Sequence, residues 1–312
     1  MGNQSKPTAI FLLGPTASGK TRWAIEIIDK FPKTFELISV DSVQVYKGCN
    51  VGSGKPDQDT LKKYPHYLID HCSVSEIYNV AQFINDASIL AKKIVDDGKV
   101  PLFVGGTMMY FKSLFEGIHS LPNADSALRK KLDAELKKNG PNKLFDQLVK
   151  LNPIKAREIS PNDKQRLIRA IEIELSLINN QDKGSAKLGI RNEFNIIQIG
   201  IFPNQRAELH ERIEKRQPSL VNKKLINELD ELIMNNNLEK THPVLKAVNY
   251  KQAFMVLDGS LKESEMLEKS IFGTRQLAKR QITWMRSWKD LNFFDLHEQD
   301  AASEFIKKGL KL

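Results

Sequence analysis

Cysteine is scarce in this chain of 312 residues. Cys49 and Cys72 are the two present, with no C-x-x-C pair and no Cys/His spacing suited to zinc, so neither a disulfide scaffold nor a structural zinc site is expected, and a reducing, cytoplasmic setting fits. Long apolar runs are missing too. No stretch approaches the roughly 18 apolar residues of a membrane span, residues 1–7 are polar instead of signal-like, and Met1-Gly2 is followed by Lys6 where an acylation motif has Ser or Thr. No membrane contact is expected. Internal repeats and low-complexity tracts are absent as well. Acid is the minority charge: 38 Asp and Glu against 47 Lys and Arg leave a formal charge of +9 and a pI near 9.3. Clustered cations gain affinity by displacing counterions from a phosphate backbone, so a polyanionic partner is favoured over charge that only keeps the chain soluble. With 41% hydrophobic residues, the chain has apolar surface enough for one large domain with an insertion or two modest ones.

Among the features present, one stretch organises the rest. Gly14, Pro15, Thr16, Ala17, Ser18, Gly19, Lys20 and Thr21 fit G-x-x-x-x-G-K-[ST], after a buried strand at residues 8–13 and before a helix at 22–28. The glycines permit a tight path, successive N–H groups and a helix N-terminus face an anion, Lys20 reaches a terminal phosphate and the Thr21 hydroxyl binds Mg²⁺. An ordinary Gly-rich turn is the alternative. Read alone, the loop indicates a nucleotide such as ATP and does not say what happens to it.

Residues 35–40 read as a second buried strand ending at Asp41-Ser42. A carboxylate at that edge of an open α/β sheet is a candidate base or ligand to Mg²⁺-bound water, with a turn cap as the alternative. The Gly-rich residues 48–56 read as a mobile loop. Residues 66–71 (HYLIDH) read as a strand with histidines at its ends, in preference to a metal site. A helix is expected at 80–97, with Val80, Phe83, Ala87, Leu90, Ala91 and Ile94 on one face and Gly98 as its stop. Residues 100–104 form a strand entering Gly105-Gly106-Thr107, and Thr107 is either a site residue or the cap of the next helix. Strand and helix alternate, which predicts an α/β fold: a P-loop NTPase-like parallel sheet core flanked by helices.

From about residue 120 the pattern becomes helical and charged. Helices are expected at 125–138 and 143–151, separated by Asn139-Gly140-Pro141. Another opens at Ser160-Pro161-Asn162-Asp163 with Ser160 as cap. It buries Ile168, Ile171, Leu175 and Ile178 and leaves Gln165, Arg166 and Arg169 outside. Residues 194–201 return the chain to the sheet. In the following helix Arg212 and Arg216 share a face and suit a diphosphate, with surface pairing to Glu211 and Glu214 as the alternative. Across 271–288, Ile271, Ala278, Ile282, Trp284, Met285 and Trp288 take one side, with the tryptophans read as core. Arg275, Lys279 and Arg286 line a strip beside it and Arg280 lies elsewhere; acid is almost absent after Glu268, so a polyanion surface is expected. Residues 179–191 and 235–237 read as loops.

Seven motifs in order, GPTASGKT (14–21), LISVDS with Tyr46-Lys47, GSGKP (52–56), PLFVGGTMMYFKSL (101–114), NDKQRLIRAIEI (162–173), HERIEKR (210–216) and TRQLAKRQITWMR (274–286), resemble the tRNA dimethylallyltransferases. These are P-loop prenyltransferases that modify the adenosine immediately 3′ of the anticodon. The resemblance covers nearly the whole chain. It implies a core of residues 1–118 and 192–312 with a tRNA-contacting helical insertion at 119–191, and the absence of the C-terminal zinc finger of eukaryotic relatives implies a bacterial-type, monomeric enzyme. It implies dimethylallyl diphosphate and a tRNA anticodon stem-loop as substrates, and Mg²⁺ held at Thr21. By resemblance Asp41 takes the proton from N6, while the phosphate loop, Thr107 and an arginine of HERIEKR hold the diphosphate; Arg216 is favoured and Arg212 left open. Implied tRNA contacts are Asp41, Ser42, Val43, Gln44, Thr107, Arg129, Gln165, Arg166, Leu167, Ile168, Arg169, Arg275, Lys279 and Arg280, with residues 248–252 and 280–285. Asn249 departs from the glycine usual in the family, and residues 217–224 lack the usual methionine and glycine. An isopentenyltransferase acting on free adenine nucleotides, or an RNA-binding P-loop NTPase or kinase, would use the same loop.

Overall fold

Runs of apolar residues too short for helices form strands buried on both faces. In the computed structural model, which describes residues 6–118, 122, 125–179 and 186–312, the chain begins β1 (Thr8–Leu13), α1 (Lys20–Lys30), β2 (Phe35–Val40), α2 (Gln58–Lys63), β3 (His66–Tyr67), α3 (Val80–Asp96), β4 (Val100–Gly105) and α4 (Met108–Glu116). Next come β5 (Gly117–Ile118), α5 (Ser126–Leu151), α6 (Pro153–Arg157), α7 (Lys164–Ile178) and β6 (Lys187–Leu188). The chain ends with β7 (Asn195–Ile201), α8 (Arg206–Leu220), α9 (Lys223–Asn236), α10 (Tyr250–Leu257), α11 (Glu263–Arg286), β8 (Asn292–Phe294) and α12 (Gln299–Leu310).

The chain divides into two compact units, Met1–Gly117 with Gly189–Leu312, and Ile118–Leu188. In the first, six parallel strands lie in the order β3-β2-β4-β1-β7-β8. This is the α/β architecture expected. Ile10 is in register with Leu102 on one side and Ile197 on the other. Strand alternation sends Ile10, Leu12, Leu37 and Leu102 into a core with Trp23 and Ile27 of α1 and Ile306 of α12. Phe11 packs edge-on against Phe103 and Phe111, with ring centres 5.2 and 5.1 Å apart. After β4 the chain crosses from one side of β1 to the other. The order therefore reverses beside β1, and the crevice outside the strand C-termini opens next to its loop.

Two expectations for this unit change. The strand at 66–71 is confined to His66–Tyr67, because Leu68 and Asp70 take φ of +63° and +51°, which turn the chain out of the sheet. Residues 48–56 form a loop, but a pinned one. The N–H groups of Asn50 and Val51 donate to Glu228, and Lys55 Nζ reaches Tyr46 O, Asn50 Oδ1 and Asp70 Oδ1.

The second unit packs α5 on α7 around Leu132, Leu144, Leu148, Leu167 and Ile171. α5 breaks at Gly140, at φ +75°, just before Pro141, which matches the helix break read there. The residue expected to begin the insertion, 119, and residues 180–185 of the loop expected over 179–191 lie outside the described residues. The cap of α7 is Asp163, whose carboxylate accepts from Arg166 N, and not Ser160. An Asx acceptor beside N2 and N3 displaced the Ser-Pro signal three residues earlier. The buried stripe is Leu167, Ala170 and Ile171, while Ile178 is exposed. Ile168 and Leu175 pack against the same core from partly buried positions, as expected, and α7 also buries Glu172, which draws Arg129 and Arg169 onto itself. Glu172 accepts from Arg129 Nε (3.0 Å) and Nη2 (2.9 Å), Arg169 Nη1 (2.8 Å) and Asp125 N (2.7 Å).

Burial alone would raise the Glu172 pKa, but the bonds from Arg169 and Arg129 outweigh it and hold the carboxyl below its ordinary value. The stabilisation is therefore present above the ordinary carboxylate range and is lost as pH falls through that depressed pKa. Replacing a buried ion-pair partner whose arginines are part-exposed costs less than the full 3–5 kcal/mol. Glu172→Ala is expected to destabilise the Ile118–Leu188 unit by about 2–4 kcal/mol at neutral pH, read by urea unfolding, with the deficit shrinking in acid.

Candidate active site

The phosphate loop leaves the C-terminal end of β1 and forms one wall of a cavity of about 730 Å³. Gly19 has φ +90°, a left-handed conformation that lets the loop turn into α1 without a Cβ clash. Gly105, at the end of β4, has no room for a side chain, since a Cβ would lie 2.1 Å from Val40 O. The ends of β2 and β4 can therefore approach, and a Cβ on the next residue, Gly106, would lie 3.4 Å from Gly14 O, so the β4 loop also lies close to the phosphate loop. Gln281 of α11 joins them: its Oε1 accepts from Thr16 N (2.8 Å) and its Nε2 donates to Gly106 O (2.8 Å). Thr16, Ala17, Gly19, Lys20 and Thr21 face the cavity. Gly14, Pro15 and Ser18 form the layer behind, where Lys20 Nζ donates to Pro15 O (2.8 Å) and the buried Ser18 hydroxyl has no partner.

The second wall comes from β2 and β4. Asp41 Oδ1 accepts from Val43 N (2.8 Å) and Gln44 N (3.0 Å), an Asx turn that fixes the carboxylate and leaves Oδ2 without a hydrogen bond among the described residues. Turn cap and cavity residue are thus one side chain. Thr107 occupies the cap position of α4 without capping it. Its hydroxyl accepts instead from Ser42 N (3.1 Å) across the cavity floor. Ser42, Val43 and Gln44 line the same wall.

The third wall is α8, which presents both Arg212 and Arg216. Arg212 is held by Glu208, which accepts from its Nε (3.1 Å) and Nη2 (2.8 Å). Its Nη1 comes within 3.9 Å of where a Gly19 Cβ would lie, so it faces the phosphate loop. Arg216 donates to Gly54 O at 3.2 Å. Glu211 and Glu214 pair elsewhere, with Lys215 and Arg275. Positive charge is therefore concentrated. Burial, then the neighbouring Arg216, lower the Lys20 pKa to about 7, with Asp41 opposing them. Burial also lowers Arg216, again against Asp41.

Some expected residues lie off this cavity. Arg280 lines it, but Arg275 pairs with Glu214 from α8, an acid that the sequence of α11 could not reveal. Lys279 is exposed and away from the cavity lining. The buried stripe of α11 is Met266, Ser270, Thr274, Ala278, Gln281 and Met285. The tryptophans read as core are half-buried: Trp284 lines the cavity, and Trp288 Nε1 donates to Gln198 Oε1 at 2.6 Å. Arg129, Gln165, Arg166, Leu167, Ile168 and Arg169 belong to the Ile118–Leu188 unit. Gln165 and Arg166 are exposed there, Leu167 is fully buried, and Arg129 and Arg169 are bound to Glu172.

Two amides complete the site, both within segments that the resemblance gave as tRNA contacts without a role for their side chains. Gln281 is one; its signal is a polar residue at the spacing of the buried Ala278 and Met285. Asn249 is another, at φ +75° and ψ −55°, a strained conformation that explains why glycine is usual there. Its Nδ2 donates to Gly52 O (2.9 Å), and its Oδ1 accepts from Gln217 Nε2 (2.8 Å), which also donates to Thr274 Oγ1 (2.9 Å).

Similarity to known proteins agrees with this arrangement. The IPP transferase family profile matches residues 44–288. The chain is 41% identical to a tRNA dimethylallyltransferase of Thiobacillus denitrificans, over 97% of this chain and 96% of that one. It is 38% identical to tRNA dimethylallyltransferase 2 of Hahella chejuensis, over 99% and 98%. Among solved structures, a tRNA isopentenylpyrophosphate transferase of Bacillus halodurans superposes with a TM-score of 0.70 at 29% identity, over 98% and 97% of the two chains. A eukaryotic dimethylallyltransferase acting on tRNA, at 23% identity and a TM-score of 0.72, shares the fold over 96% of this chain and 78% of its own. With full-length relatives on both sides of the phosphate loop and a profile running from Gln44 to Trp288, the chain belongs to the IPP transferase family.

Proposed function

We propose that the protein transfers a dimethylallyl group from dimethylallyl diphosphate to N6 of the adenosine immediately 3′ of the anticodon in tRNA, releasing diphosphate. One observation carries the reading: the phosphate loop, two arginines and a carboxylate with a free oxygen meet in one cavity. Cations and backbone N–H groups suit a leaving group on which negative charge develops. As the C1–O bond breaks, its electron pair leaves with the diphosphate, the C1–N6 bond forms, and the N6 proton passes to Asp41 Oδ2. Lys20, Arg212, Arg216 and the loop N–H groups bind the diphosphate, and Thr107 orients the Asp41–Ser42 turn. An adenine must leave its stack to reach this depth, at a cost of a few kcal/mol that an unpaired loop lowers.

Mg²⁺ fits the donor set. The Thr21 hydroxyl faces the cavity without a hydrogen bond to the described protein, and among the described residues no group of three or more His, Cys, Asp or Glu side chains offers an all-protein cage. That suits an ion that keeps waters and binds mainly through phosphate oxygens. When bound, it would neutralise charge on the leaving group. Residues 119–191 are read as an insertion gripping the anticodon stem-loop through Gln165, Arg166 and Ile168, and Arg280 and Lys279 as phosphate contacts. The reading entails a bacterial-type monomer working in the cytoplasm.

Three outcomes test it. Asp41→Asn keeps the acceptor for Val43 N and Gln44 N but loses the base, so kcat should fall about 10²–10⁴-fold while affinity for an anticodon stem-loop holds; lost binding would make Asp41 structural. Replacing Lys279 and Arg280 together with Ala should weaken stem-loop binding and reduce the slope of log K against log salt by about one to two, and an unchanged slope removes them from the interface. Lys20, with a pKa of about 7, is largely neutral at pH 8 and recharged beside a diphosphate. Calorimetry at pH 8 should show up to about one more proton taken up on binding inorganic diphosphate by the wild type than by Lys20→Met, with the affinity advantage of the wild type over that variant falling as pH rises above 7.

A further inference from the structure

Just outside the cavity lining, a polar cluster surrounds Glu228 on α9. The N–H groups of Asn50 (3.1 Å) and Val51 (2.8 Å) donate to its Oε2, and those of Gly52 (3.4 Å) and the Tyr250 hydroxyl (2.6 Å) to its Oε1. Successive N–H groups converging in a turn make a small anion-binding nest. Here the anion is supplied by the protein. Gly52 also rests on the Tyr250 ring, where a Cβ would come within 2.7 Å of the ring edge, and Asn249 Nδ2 holds Gly52 O. Two residues further on, Gly54 O accepts from Arg216 Nη2, with Gln44 Nε2 at 3.4 Å from the same carbonyl. Gly52, Ser53 and Gly54 line the cavity, whereas neither Glu228 nor Tyr250 does.

We propose that Glu228, seconded by Tyr250, is a positioning residue for diphosphate binding: it anchors the loop at residues 50–54 so that Gly54 O aims the Arg216 guanidinium into the cavity. The inference rests on the diphosphate reading of that cavity. The orientation of Arg216 needs such support because among the described residues no carboxylate is hydrogen-bonded to it, in contrast to Arg212, which Glu208 holds. A carboxylate suits the nest, since every group aimed at it is a donor. Glutamine keeps the volume but turns an NH₂ toward one of those donors.

The test is a double-mutant cycle read by calorimetry with inorganic diphosphate, with melting curves to establish that each variant is folded. Arg216→Ala should weaken diphosphate about tenfold or more. Glu228→Gln should weaken it about fivefold in the wild-type background and less than about twofold in the Arg216→Ala background. Tyr250→Phe, which removes one hydroxyl and keeps the ring under Gly52, should give a smaller loss that disappears in the same way. It carries the cycle if Glu228→Gln does not fold. Equal losses in both backgrounds, or none, overturn the inference and leave the diphosphate reading intact. Arg216→Ala without effect overturns the diphosphate reading and this inference with it.

Discussion

Lys20, Arg212 and Arg216 gather around the Asp41 carboxylate in a cavity that Lys246 and Arg280 also line, and this imbalance is the constraint on which the rest of the site depends. Burial desolvates the Lys20 ammonium and the neighbouring Arg216 repels it, which together lower its pKa to about 7 against the pull of Asp41. Such a cluster is unfavourable in an ordinary protein interior and favourable beside a polyanion. The surrounding structure keeps it from collapsing. Glu208 takes Arg212, Gly54 O takes Arg216 and Pro15 O takes Lys20. Asp41, tied by Oδ1 into its own turn, is not free to neutralise any of them by moving. On the proposed reading, the carboxylate is thereby kept for the proton that must leave the attacking amine.

The sheet makes this possible through its strand order. Placing β1 between β4 and β7 puts the phosphate loop at the reversal point, with the end of β2 one strand beyond β4. The close approach of the β2 and β4 ends then depends on Gly105, whose missing side chain lets Val40 O lie against it. Thr107 can consequently bond Ser42 N across the gap instead of capping its own helix.

Much of this was legible because it is local. The phosphate loop, the buried runs of β1, β2 and β4, the Gly-Gly-Thr turn and the Gly98 stop each follow from a few adjacent residues. What could not be read is tertiary or lies in the backbone. Nothing in HYLIDH announces left-handed Leu68 and Asp70, so the strand was read too long. The burial of Glu172 on α7 was not foreseen, because a carboxylate carrying two arginines does not look like a core residue. The acid-free strip of α11 looked free for RNA, yet Glu214 reaches Arg275 from another helix. Glu228 and Gln281 act on residues far away in sequence, and neither belongs to a motif with a known phosphate chemistry.

The chemistry of the connecting groups separates two kinds of support. Gln281 must satisfy an N–H from Thr16 and a C=O from Gly106 at once; an amide offers both an acceptor and a donor, whereas a carboxylate would set its oxygen against Gly106 O and an ammonium would set its hydrogens against Thr16 N–H. Gln217 and Asn249 face the same mixed demand, and both are amides. They also add no charge within reach of the diphosphate site, where a fixed anion would weaken ligand binding and a fixed cation would deepen the imbalance already present. At the outer nest only donors converge, and there a carboxylate is used, beyond the cavity lining. The choice between amide and acid around this site therefore follows from two rules acting together: match the donors and acceptors presented, and add no further fixed charge to a wall that already carries its cations and Asp41.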